Sequence, residues 1–591
     1  MTYSRGQKQR RAIALILASA VVAMSCSSGN DTASSTTSNP PARYGGEINV
    51  GIFDSLPGFC VGNNPANSAL MATRTIYETL FEKSETGQMV GLLAQDATSS
   101  DDLKTWTITL RKGISFHDGT RFDAAAVVTN FNAITGRVAL GAYAASGPQG
   151  LAATAYTIGT GTAFTANINS FQALSDYLVE FTLDRPQYDF RSTLYASGRF
   201  FMRSPRQLQD AKTCGQSPIG TGPFKIASWN PNEMTVTRNA SYWRKDPISN
   251  KQLPYLDAIT FQNVKEASQR AGAVRSDTLD AGFFSAATDS ATIVDLRSRS
   301  TVKETKSPDE YYPSLWLNQG KPGSPFQYLS ARQAVLSCID RSNFVKVRTK
   351  DETSVAESIV GPTSLMFSTE NFPEFNSDKA QEYVNAYKKE SGETSLQFTF
   401  PADTSTTTQL NAQFLKSTWS KCNIKAEYVI EEGAVIIAKA FNASPQLDKG
   451  GFYNAYDAIP ITLLEGTDAA FNIPFLVTNA YTKSSMNPVK QLLGASLGPV
   501  LGLNHHDDTK IDDFLYAGQA QATASDAATY YRQATSYIQK NAVMGSINRF
   551  YYSLFTTNKI AGVGVLQLPN GQTQRSISNW GIDWTGVYQV G

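Results

Sequence analysis

The sequence predicts an α/β protein with at least two large lobes, and three observations support this prediction. The chain has 591 residues, more than one hydrophobic core accommodates. After Tyr311, strand-like and helix-like segments alternate, which is typical of a mostly parallel sheet with helices on both faces. The hydrophobic content of 41% and the aromatic content of 11% suit a large globular protein.

The first half of the chain contains strand patterns, a tight turn and an irregular loop. Alternating side chains predict strands at residues 46–52, 106–110 and 177–183. His117 to Thr120 is typical of a turn between strands. The loop from Asp54 to Asn67 contains Cys60, and a loop at a strand end can approach a ligand closely. Residues 136–172 are rich in Ala, Gly and Thr and are predicted to form a peripheral insertion.

The second half alternates strands with amphipathic helices. A strand at 314–318 precedes a helix from Ala331 to Arg341, whose apolar residues recur at the spacing of one helical face. The next predicted segments are helices at 378–390, 407–421 and 434–441, which alternate with strands at 396–400, 424–430 and near 450–456. A helix at 526–540 and a strand at 549–556 complete the series.

The amino terminus, residues 1–25, has the order of an export signal. Four basic residues precede an apolar run of 13 residues, Ala12 to Met24, which is too short to span a bilayer. Cys26 follows the small Ser25, an order similar to a lipobox, in which the cysteine takes a lipid and begins the mature chain. The alternative is an ordinary secretory signal cleaved nearby. Residues 26–43 are rich in Ser, Thr, Asn and Pro, and we expect a flexible tether there.

The charge balance of the mature chain is nearly neutral. Removal of residues 1–25 takes away four of the 52 basic residues and none of the 51 acidic ones, which leaves a net charge near −3. This balance gives no indication of a nucleic-acid partner.

Several stretches resemble the signature of the peptide/nickel class (family 5) of extracellular solute-binding proteins, which serve ABC importers. They are Arg74–Phe81, Leu92–Gln95, Thr105–Thr120, Pro218–Ile226 with Trp229, Arg238–Trp243, Asn318, Arg332–Ala334 with Asp340–Arg341, and Ala380–Tyr387. The resemblance implies the two-lobed periplasmic-binding-protein fold with an extra subdomain on lobe one. Lobe one would comprise residues 44–312 and 553–591, with the subdomain at roughly 85–200, and lobe two residues 313–552.

The resemblance also implies a function without catalysis or a cofactor. The expected protein is a monomer, anchored by lipid to the outer face of the cell membrane, that captures a solute between its lobes and delivers it to an ABC permease and its ATPase subunits. Peptides are the commonest cargo of the family. The alternatives are a nonpeptide solute, such as a sugar, an aromatic compound or a metal chelate, and a ligand-sensing receptor without transport.

The candidate ligand site lies before Pro460. In peptide-binding relatives the corresponding strand end carries an aromatic residue and an aspartate that meets the peptide's amino terminus. Tyr456 occupies the aspartate's expected place, and Asp457 lies one residue further along, which in a strand reverses the direction of the side chain. The predicted ligand-binding residues are Asp54, Trp316, Asn318, Phe452, Tyr453, Asn454, Tyr456 and Asp457. The aromatic residues among them could equally pack the sheet.

Four cysteines follow Cys26, and an exported chain favours disulfide bonds between them. Four cysteines allow three pairings. The lobes that the resemblance implies favour Cys60 with Cys214 and Cys338 with Cys422, because each pair then lies within one lobe. Zinc ligation and free buried cysteines are the alternatives, although no Cys-x-x-Cys pair is present.

Other motifs give weak support to an enzyme or a metal site. Gly494–Gly498 matches the Gly-x-Ser-x-Gly nucleophile elbow, but no acid followed by a histidine comes after it in the required order. Ser300–Lys303 matches Ser-x-x-Lys without the companion motifs. His505 and His506 are interpreted as part of a solvated loop rather than as metal ligands. We therefore predict a binding protein that is not an enzyme and has no metal site.

Overall fold

The computed structural model describes residues 41–56, 58–61, 67–135, 163–209, 215–308, 311–441, 456–462, 469–478, 501–578 and 581–590. Several predictions concern residues outside these ranges. They are the export signal, Cys26 and most of the tether, Cys214, Phe452 to Asn454, the Gly494–Gly498 motif and much of the predicted insertion.

The strands in chain order are β1 (Glu47–Ile52), β2 (Phe81–Lys83), β3 (Met89–Gly91), β4 (Ala94–Ser99), β5 (Thr105–Leu110), β6 (Ile168–Ser175), β7 (Leu178–Leu183), β8 (Phe224–Asn230), β9 (Glu233–Arg238), β10 (Ala258–Asn263), β11 (Ala281–Ser285), β12 (Val302–Lys306), β13 (Ser314–Leu317), β14 (Ser354–Val355), β15 (Leu396–Asp403), β16 (Ile424–Glu431), β17 (Ala458–Ile461), β18 (Met544–Ser546), β19 (Asn548–Arg549), β20 (Tyr552–Thr557), β21 (Ile560–Ala561), β22 (Ile577–Ser578), β23 (Gly581–Ile582) and β24 (Tyr588–Gln589).

The α-helices are α1 (Asn67–Thr73), α2 (Ala124–Ile134), α3 (Phe190–Tyr195), α4 (Pro205–Gln209), α5 (Ala267–Arg275), α6 (Ser290–Arg297), α7 (Leu329–Ser337), α8 (Arg341–Arg348), α9 (Ser377–Ser391), α10 (Thr406–Lys421), α11 (Gly433–Phe441), α12 (Ala469–Leu476), α13 (Thr509–Gln519) and α14 (Ala524–Lys540). Two short 3₁₀ helices lie at Ala196–Gly198 and Pro325–Gln327.

A seven-stranded mixed sheet in the order β12-β20-β11-β1-β10-β9-β8 forms the centre of the predicted lobe one. β1 pairs in parallel with β10 and β11, and the remaining neighbours are antiparallel. β20 comes from the far end of the chain, as expected for a lobe built from two chain segments. The hydrophobic core around this sheet contains Val50, Ile259, Phe283 and Phe555.

A separate four-stranded antiparallel sheet, β4-β5-β7-β6, occupies the region predicted as the subdomain. β5 and β7 alternate buried and half-buried residues, which is the pattern that predicted them. Trp106 faces Phe181 and Ile108 faces Val179 across the pair. These buried side chains share one apolar core with α2 and α3.

The region predicted as lobe two contains a three-stranded antiparallel sheet, β17-β13-β18, and the parallel pair β15-β16. The prediction of a mostly parallel sheet is therefore wrong for the described strands. β17 runs antiparallel to β13 and meets β15 at one residue, where the Asp457 backbone N–H donates to the Thr399 carbonyl oxygen at 3.1 Å and the Asp457 carboxylate accepts from the Thr399 N–H. The described strands of this region therefore do not form one continuous ladder.

Helix ends follow local side-chain chemistry. Asn376 and Thr523 accept hydrogen bonds from the first turns of α9 and α14, and Gly392 ends α9 with a left-handed φ of 77°. The helix predicted from Ala331 to Arg341 ends at Ser337, because Asp340 caps a second helix, α8. All five predicted apolar positions are nevertheless buried.

Two further expectations need correction, and a third is not tested. The strand predicted near 450–456 lies almost wholly outside the described residues, and the described strand near Pro460 is β17. The strand predicted at 549–556 is two strands, β19 and β20, because Phe550 between them pairs with Tyr311. The loop at His505 is solvated only in part: Asp507 is exposed, whereas His506 is 4% exposed and its Nε2 donates to the Leu476 carbonyl oxygen at 2.7 Å.

The two predicted crossings between lobes lie side by side. Tyr311 and Phe550 exchange backbone hydrogen bonds of 3.2 and 2.9 Å. The Tyr552 ring packs against both Tyr311 and Phe550. The two segments therefore form one short antiparallel connection between the large sheet and the β13 sheet. The residue boundaries of the lobes stay predictions.

Candidate functional site

The ends of β13 and β17 bring together four predicted ligand residues. The strands are antiparallel, and Trp316 faces Ile459. Immediately beyond this pair, the backbone N–H of Asn318 donates to the Asp457 carbonyl oxygen at 2.8 Å. The Asn318 side-chain amide donates to the Tyr456 carbonyl oxygen at 3.1 Å. Trp316, Asn318, Tyr456 and Asp457 are therefore one structural group.

Trp316 supports this group from the core. Its side chain is fully buried, and its Nε1 donates to the Ile461 carbonyl oxygen at 3.3 Å. A buried indole with a satisfied N–H fixes the β13–β17 pair. The structure therefore places Trp316 beneath the strand ends.

Asp457 is 8% exposed and already has partners within the protein. Its Oδ2 accepts from the Thr399 backbone N–H at 2.8 Å and from the Thr399 hydroxyl at 2.9 Å. Its Oδ1 lies 2.7 Å from the Lys321 Nζ. The predicted role of Asp457 toward a ligand amine stays a prediction, and such an amine would compete with Lys321 for the carboxylate.

Lys321 was missed by sequence reasoning, and Asn318 explains its position. The Asn318 Oδ1 accepts from the backbone N–H groups of Gly320 and Lys321 at 3.2 and 3.1 Å. This turn returns the Lys321 side chain to Asp457, where it is 19% exposed. The signal available in the sequence was an asparagine directly after a strand, with a glycine two residues further on.

Tyr456 contacts a second charged pair. Its hydroxyl donates to Glu431 at the end of β16, and Glu431 also pairs with Lys439 on α11. The Lys439 ammonium lies 5.6 Å from the centre of the Tyr456 ring. Hydrogen bonds from Lys439 and Tyr456 lower the pKa of Glu431, whereas burial and Glu431 raise the pKa of Tyr456. Glu431 and Lys439 were also missed, although Glu431 directly follows a predicted strand and Lys439 lies in the next predicted helix.

Asp54 lies in the other half of the protein, just beyond β1. Its carboxylate accepts from the backbone N–H and the hydroxyl of Ser68, both at 2.8 Å. The Ser68 hydroxyl oxygen in turn accepts from the backbone N–H of Asp54 at 3.0 Å. Asp54 thus joins the end of β1 to α1. Phe452, Tyr453 and Asn454 lie outside the described residues.

The segments that carry the resemblance meet at one buried turn. Gly222 donates to the Ile76 carbonyl oxygen at 2.9 Å, and its own carbonyl oxygen accepts from Asn239 at 3.1 Å. A Cβ on Gly220 would lie 2.0 Å from the Ile76 carbonyl oxygen, so only glycine fits this close approach. The His117 Nε2 donates to the Gly222 carbonyl oxygen at 2.9 Å, and burial lowers the pKa of His117 to about 4.

Glu78 is the polar centre of the same region. It is 6% exposed and accepts hydrogen bonds from Tyr242 at 2.7 Å, Trp243 at 2.9 Å and Thr221 at 2.8 Å. Burial raises the pKa of Glu78 to about 7. A small cavity beside it is lined by Arg74, Arg244 and Asp583, among others. The residues around Glu78 that carry the family resemblance therefore form a structural network of hydrogen bonds.

The part of the chain that the structure describes contains no group of three or more His, Cys, Asp or Glu side chains that could hold a metal ion. Within the same residues, no helix combines the length and the apolar character required to cross a bilayer.

The fold is that of the two-lobed α/β periplasmic binding proteins. Its marks are the seven-stranded mixed sheet, the separate four-stranded sheet and the paired connections at Tyr311 and Phe550. A family model described as "Bacterial extracellular solute-binding proteins, family 5 Middle" matches residues 88–458. The chain therefore belongs to this family, which confirms the resemblance and the prediction of a binding protein rather than an enzyme.

Individual relatives agree with this assignment. The chain is 30% identical over 293 residues to the glutathione-binding protein GsiB of Escherichia coli K12, which is 49% of this chain and 51% of that protein. The chain thus spans about half the length of the curated relatives it matches. The sequence likeness to GsiB extends over about half of this chain, whereas the likeness to solved structures extends over nearly the whole chain.

Two solved structures illustrate that extent. The periplasmic binding protein DppA from Helicobacter pylori in complex with the peptide STSA has a TM-score of 0.73 and 20% identity, and the match covers 93% of this chain and 98% of DppA. AgaA from A. tumefaciens R10 in complex with agropinic acid has a TM-score of 0.73 and 18% identity, with coverages of 92% and 99%. At these identities the likeness establishes the fold, and the two-lobed prediction is confirmed.

Proposed function

We propose that this protein is the lipid-anchored solute-binding component of an ABC importer, and that its cargo is a peptide. The observation that carries the proposal is the family match over residues 88–458. Support for a peptide comes from relatives, since GsiB is named for glutathione and DppA was solved with a tetrapeptide. The protein would capture cargo between its lobes and deliver it, as a monomer, to a permease driven by separate ATPase subunits.

The proposed cargo site is the cleft beside the ends of β13 and β17. We assign ligand contacts to Asn318, Tyr456 and Asp457, with Trp316 as their support. Phe452, Tyr453 and Asn454 would precede them on the same segment, and Asp54 would contribute from lobe one. A cleft between lobes suits binding because closure removes water from the ligand and strengthens its polar contacts.

A second candidate is the same role for a nonpeptide solute. AgaA, with the same TM-score as DppA, was solved with agropinic acid. In addition, the Asp457 carboxylate already has a cationic partner in Lys321 at 2.7 Å. A cargo without a free amine would leave this ion pair intact. A sensing receptor without transport is the third candidate function, and an import assay distinguishes it from the first two.

Native mass spectrometry of the purified protein, followed by calorimetry, tests the proposal. A copurified peptide, or a peptide from a panel that includes glutathione and tetrapeptides and binds in the micromolar range or tighter, would support peptide cargo. A copurified nonpeptide solute, with no binding by the panel, would favour the second candidate. Loss of uptake of the identified cargo on deletion of the protein establishes transport rather than sensing.

A further inference from the structure

The loop of residues 245–251 carries the most exposed large apolar side chain of the described residues. Ile248 is 79% exposed, whereas the next most exposed, Val565, is 51% exposed. Lys245 and Lys251 stand at the two ends of the loop, and both are exposed. A single exposed isoleucine is ordinary on a protein surface, so its role depends on how the loop is held and on what lies beside it.

Hydrogen bonds hold the loop in one shape, with Ile248 in its outer part. The Asp246 Oδ1 accepts from the backbone N–H groups of Ile248 at 2.8 Å and Ser249 at 3.2 Å. The Asp246 backbone N–H donates to the Lys251 carbonyl oxygen at 2.8 Å and closes the base of the loop. The Asp246 Oδ2 accepts from the hydroxyl of Tyr255, which is 1% exposed. The carboxylate of the loop is therefore bonded within the protein, and an apolar group lies between two ammonium groups on its outside.

The amino-terminal segment leaves the folded protein beside this loop. The Lys251 Nζ donates to the Ala42 carbonyl oxygen at 2.8 Å. The Tyr44 hydroxyl donates to the Gln252 carbonyl oxygen, also at 2.8 Å. Arg43, between these two contacts, is exposed and adds a third positive charge. The place where the chain turns toward its amino terminus is therefore fixed against the loop.

We propose that the loop of residues 245–251, which we call the membrane loop, contacts an anionic phospholipid surface and thereby orients the anchored protein. The inference rests on the proposed lipid at Cys26. Residues 27–40 separate Cys26 from the first described residue, and a segment of this length reaches at most about 50 Å when fully extended. An anchor at Cys26 therefore keeps the membrane loop close to the bilayer.

The chemistry of the membrane loop and its surroundings fits this partner. An apolar side chain that enters the headgroup region is stabilised by leaving water, and basic side chains beside it are attracted to anionic headgroups. Arg43, Lys245 and Lys251 supply the positive charge, while the exposed carboxylate of Asp257 is paired with Arg238 at 2.7 Å. One loop is too small to retain a protein on a membrane by itself, so the loop orients a molecule that the lipid holds.

Docking through the membrane loop has a consequence for the capture of cargo. β1 begins at Glu47, directly after the segment that contacts the loop, and its other end leads to Asp54, the proposed cargo contact of lobe one. A strand of six residues spans about 20 Å. The membrane loop and Asp54 thus lie at opposite ends of β1, and the docked protein presents Asp54 away from the bilayer. The tether then lets the protein turn toward the permease for delivery.

Depth measurements on the acylated mature chain test this proposal without any cargo. A fluorophore attached through a clickable non-natural amino acid would replace exposed Pro247 in the membrane loop or, as the reference position, exposed Leu410 on α10. The protein is bound to vesicles of phosphatidylglycerol and phosphatidylcholine that contain lipids with a nitroxide at the headgroup. We expect strong quenching at position 247 and weak quenching at position 410. Vesicles of phosphatidylcholine alone should give weaker quenching at position 247, because the basic side chains lose their anionic partners.

Substitutions in the membrane loop separate its two contributions. Ile248→Ser should lower the ratio of docked to undocked protein by about five- to tenfold, because the apolar contact is lost. Lys245→Gln should lower it by about fivefold on the anionic vesicles. The matched controls are Val347→Ser on α8 and Lys389→Gln on α9, which alter exposed residues of the same kinds elsewhere and should leave the quenching unchanged.

Three results would overturn the proposal. The first is equal quenching at positions 247 and 410, and the second is unchanged quenching in both loop variants. The third is quenching at position 247 that is the same on both kinds of vesicle, since the partner would then not be an anionic surface. Protection of position 247 only in membranes that contain the permease would likewise overturn it, because the loop would then bind a protein.

A second arm keeps this test separate from the proposed anchor. The chain from residue 26 with Cys26→Ala and an amino-terminal polyhistidine tag is held on the same vesicles by a nickel-chelating lipid. If the native chain carries no acyl group, the proposed anchor is wrong, and the membrane loop is judged in this arm by the same comparison of positions 247 and 410. If the native chain is acylated and position 247 is not quenched in either arm, the anchor stands and the membrane loop is wrong.

Discussion

At the scale of single residues, Asp457 pairs with Lys321 within the protein and is also proposed to bind the ligand. Replacement Asp457→Asn leaves the Lys321 ammonium, 19% exposed, without its counter-ion. We expect a loss of about 1–3 kcal/mol in the free energy of unfolding, measured by urea denaturation. The control is Asp295→Asn, which removes two ion pairs, with Arg275 and Arg299, whose side chains are 38–45% exposed, and it should cost less than about 1 kcal/mol. Equal effects would show that the Lys321 pair contributes no more than a surface pair.

The external role is tested by binding. If Asp457 anchors a ligand amine, Asp457→Asn should weaken the binding of peptides by about tenfold or more, because a charge-assisted hydrogen bond is lost. N-acetylation of the peptide should then have a similar effect on the native protein. The control is Asp507→Asn, at an exposed position. Asp508 is unsuitable, since it caps α13 and accepts from Tyr537. Equal binding of free and acetylated peptides would exclude an amine anchor at Asp457.

Glu78 predicts a pH-dependent stability. Its pKa is raised to about 7 by burial, so the folded protein retains a proton that the unfolded chain releases above its ordinary pKa near 4.5. Between these values the contribution of Glu78 to stability falls as pH rises, by up to about 1.4 kcal/mol per pH unit. Glu78→Gln should flatten the profile of unfolding free energy against pH from 5 to 7. Exposed Glu427→Gln should keep the native slope, and a Glu78→Gln profile parallel to the native one would contradict the prediction.

The side chains that contact Asp457 and Tyr456 were the least predictable part of the site. The sequence could place Asp457 and Tyr456 near Pro460, because the strand and the proline are local features. It could not show that Lys321 reaches Asp457 or that Glu431 reaches Tyr456, since these pairs depend on how distant strand ends come together. The asparagine turn at Asn318 was the one local indication.

At the scale of elements, local patterns predicted only part of the helices and strands of the described chain. Period-two alternation identified β5 and β7, and the helical pattern identified Ala331, Ala334 and Val335 as buried positions of α7. The failures occurred where tertiary contacts interrupt a pattern. Asp340 caps a new helix inside an apparently continuous one, and β17 pairs with β13 rather than with β15.

The ends of two helices, α7 and α10, also carry the cysteines of a disulfide bond. Cys338 follows α7 and Cys422 follows α10, and the structure pairs them with Cα atoms 6.3 Å apart. The predicted Cys338–Cys422 bond is therefore confirmed. Because the bond closes a loop of 84 residues, we expect Cys338→Ser combined with Cys422→Ser to lower the free energy of unfolding by on the order of 4 kcal/mol.

Thiol counting extends this prediction to the other pair. Cys60 is disulfide-bonded as well, while its predicted partner Cys214 lies outside the described residues. The unfolded, unreduced protein should have no free thiol among Cys60, Cys214, Cys338 and Cys422 when probed with maleimide and peptide mapping. Labelling of Cys214 would show that the predicted Cys60–Cys214 pair is wrong.

At the scale of the whole molecule, the two-lobed arrangement was implied by resemblance, and chain length alone required only more than one core. The mixed order of the large sheet, which recruits β20 from the end of the chain, has no local signal in the sequence. The stacking of Phe164 on Phe471 was unpredictable for the same reason, because the two residues are distant in sequence.

Anchoring of the whole molecule depends on Cys26. If the amino-terminal order is a lipobox, Cys26 carries acyl chains whose burial in the bilayer contributes about 0.8 kcal/mol per CH₂ group, and Cys26→Ala removes that contribution completely. We expect the variant to move from the membrane fraction to the soluble extracytoplasmic fraction, and mass spectrometry of the native amino-terminal peptide should show an acylated Cys26. Ser25→Ala, which keeps a small residue before the cysteine, should remain in the membrane with its lipid. A native peptide that begins at another residue and lacks acyl mass would instead establish an ordinary secretory signal, and the binding function would then operate without an anchor at Cys26.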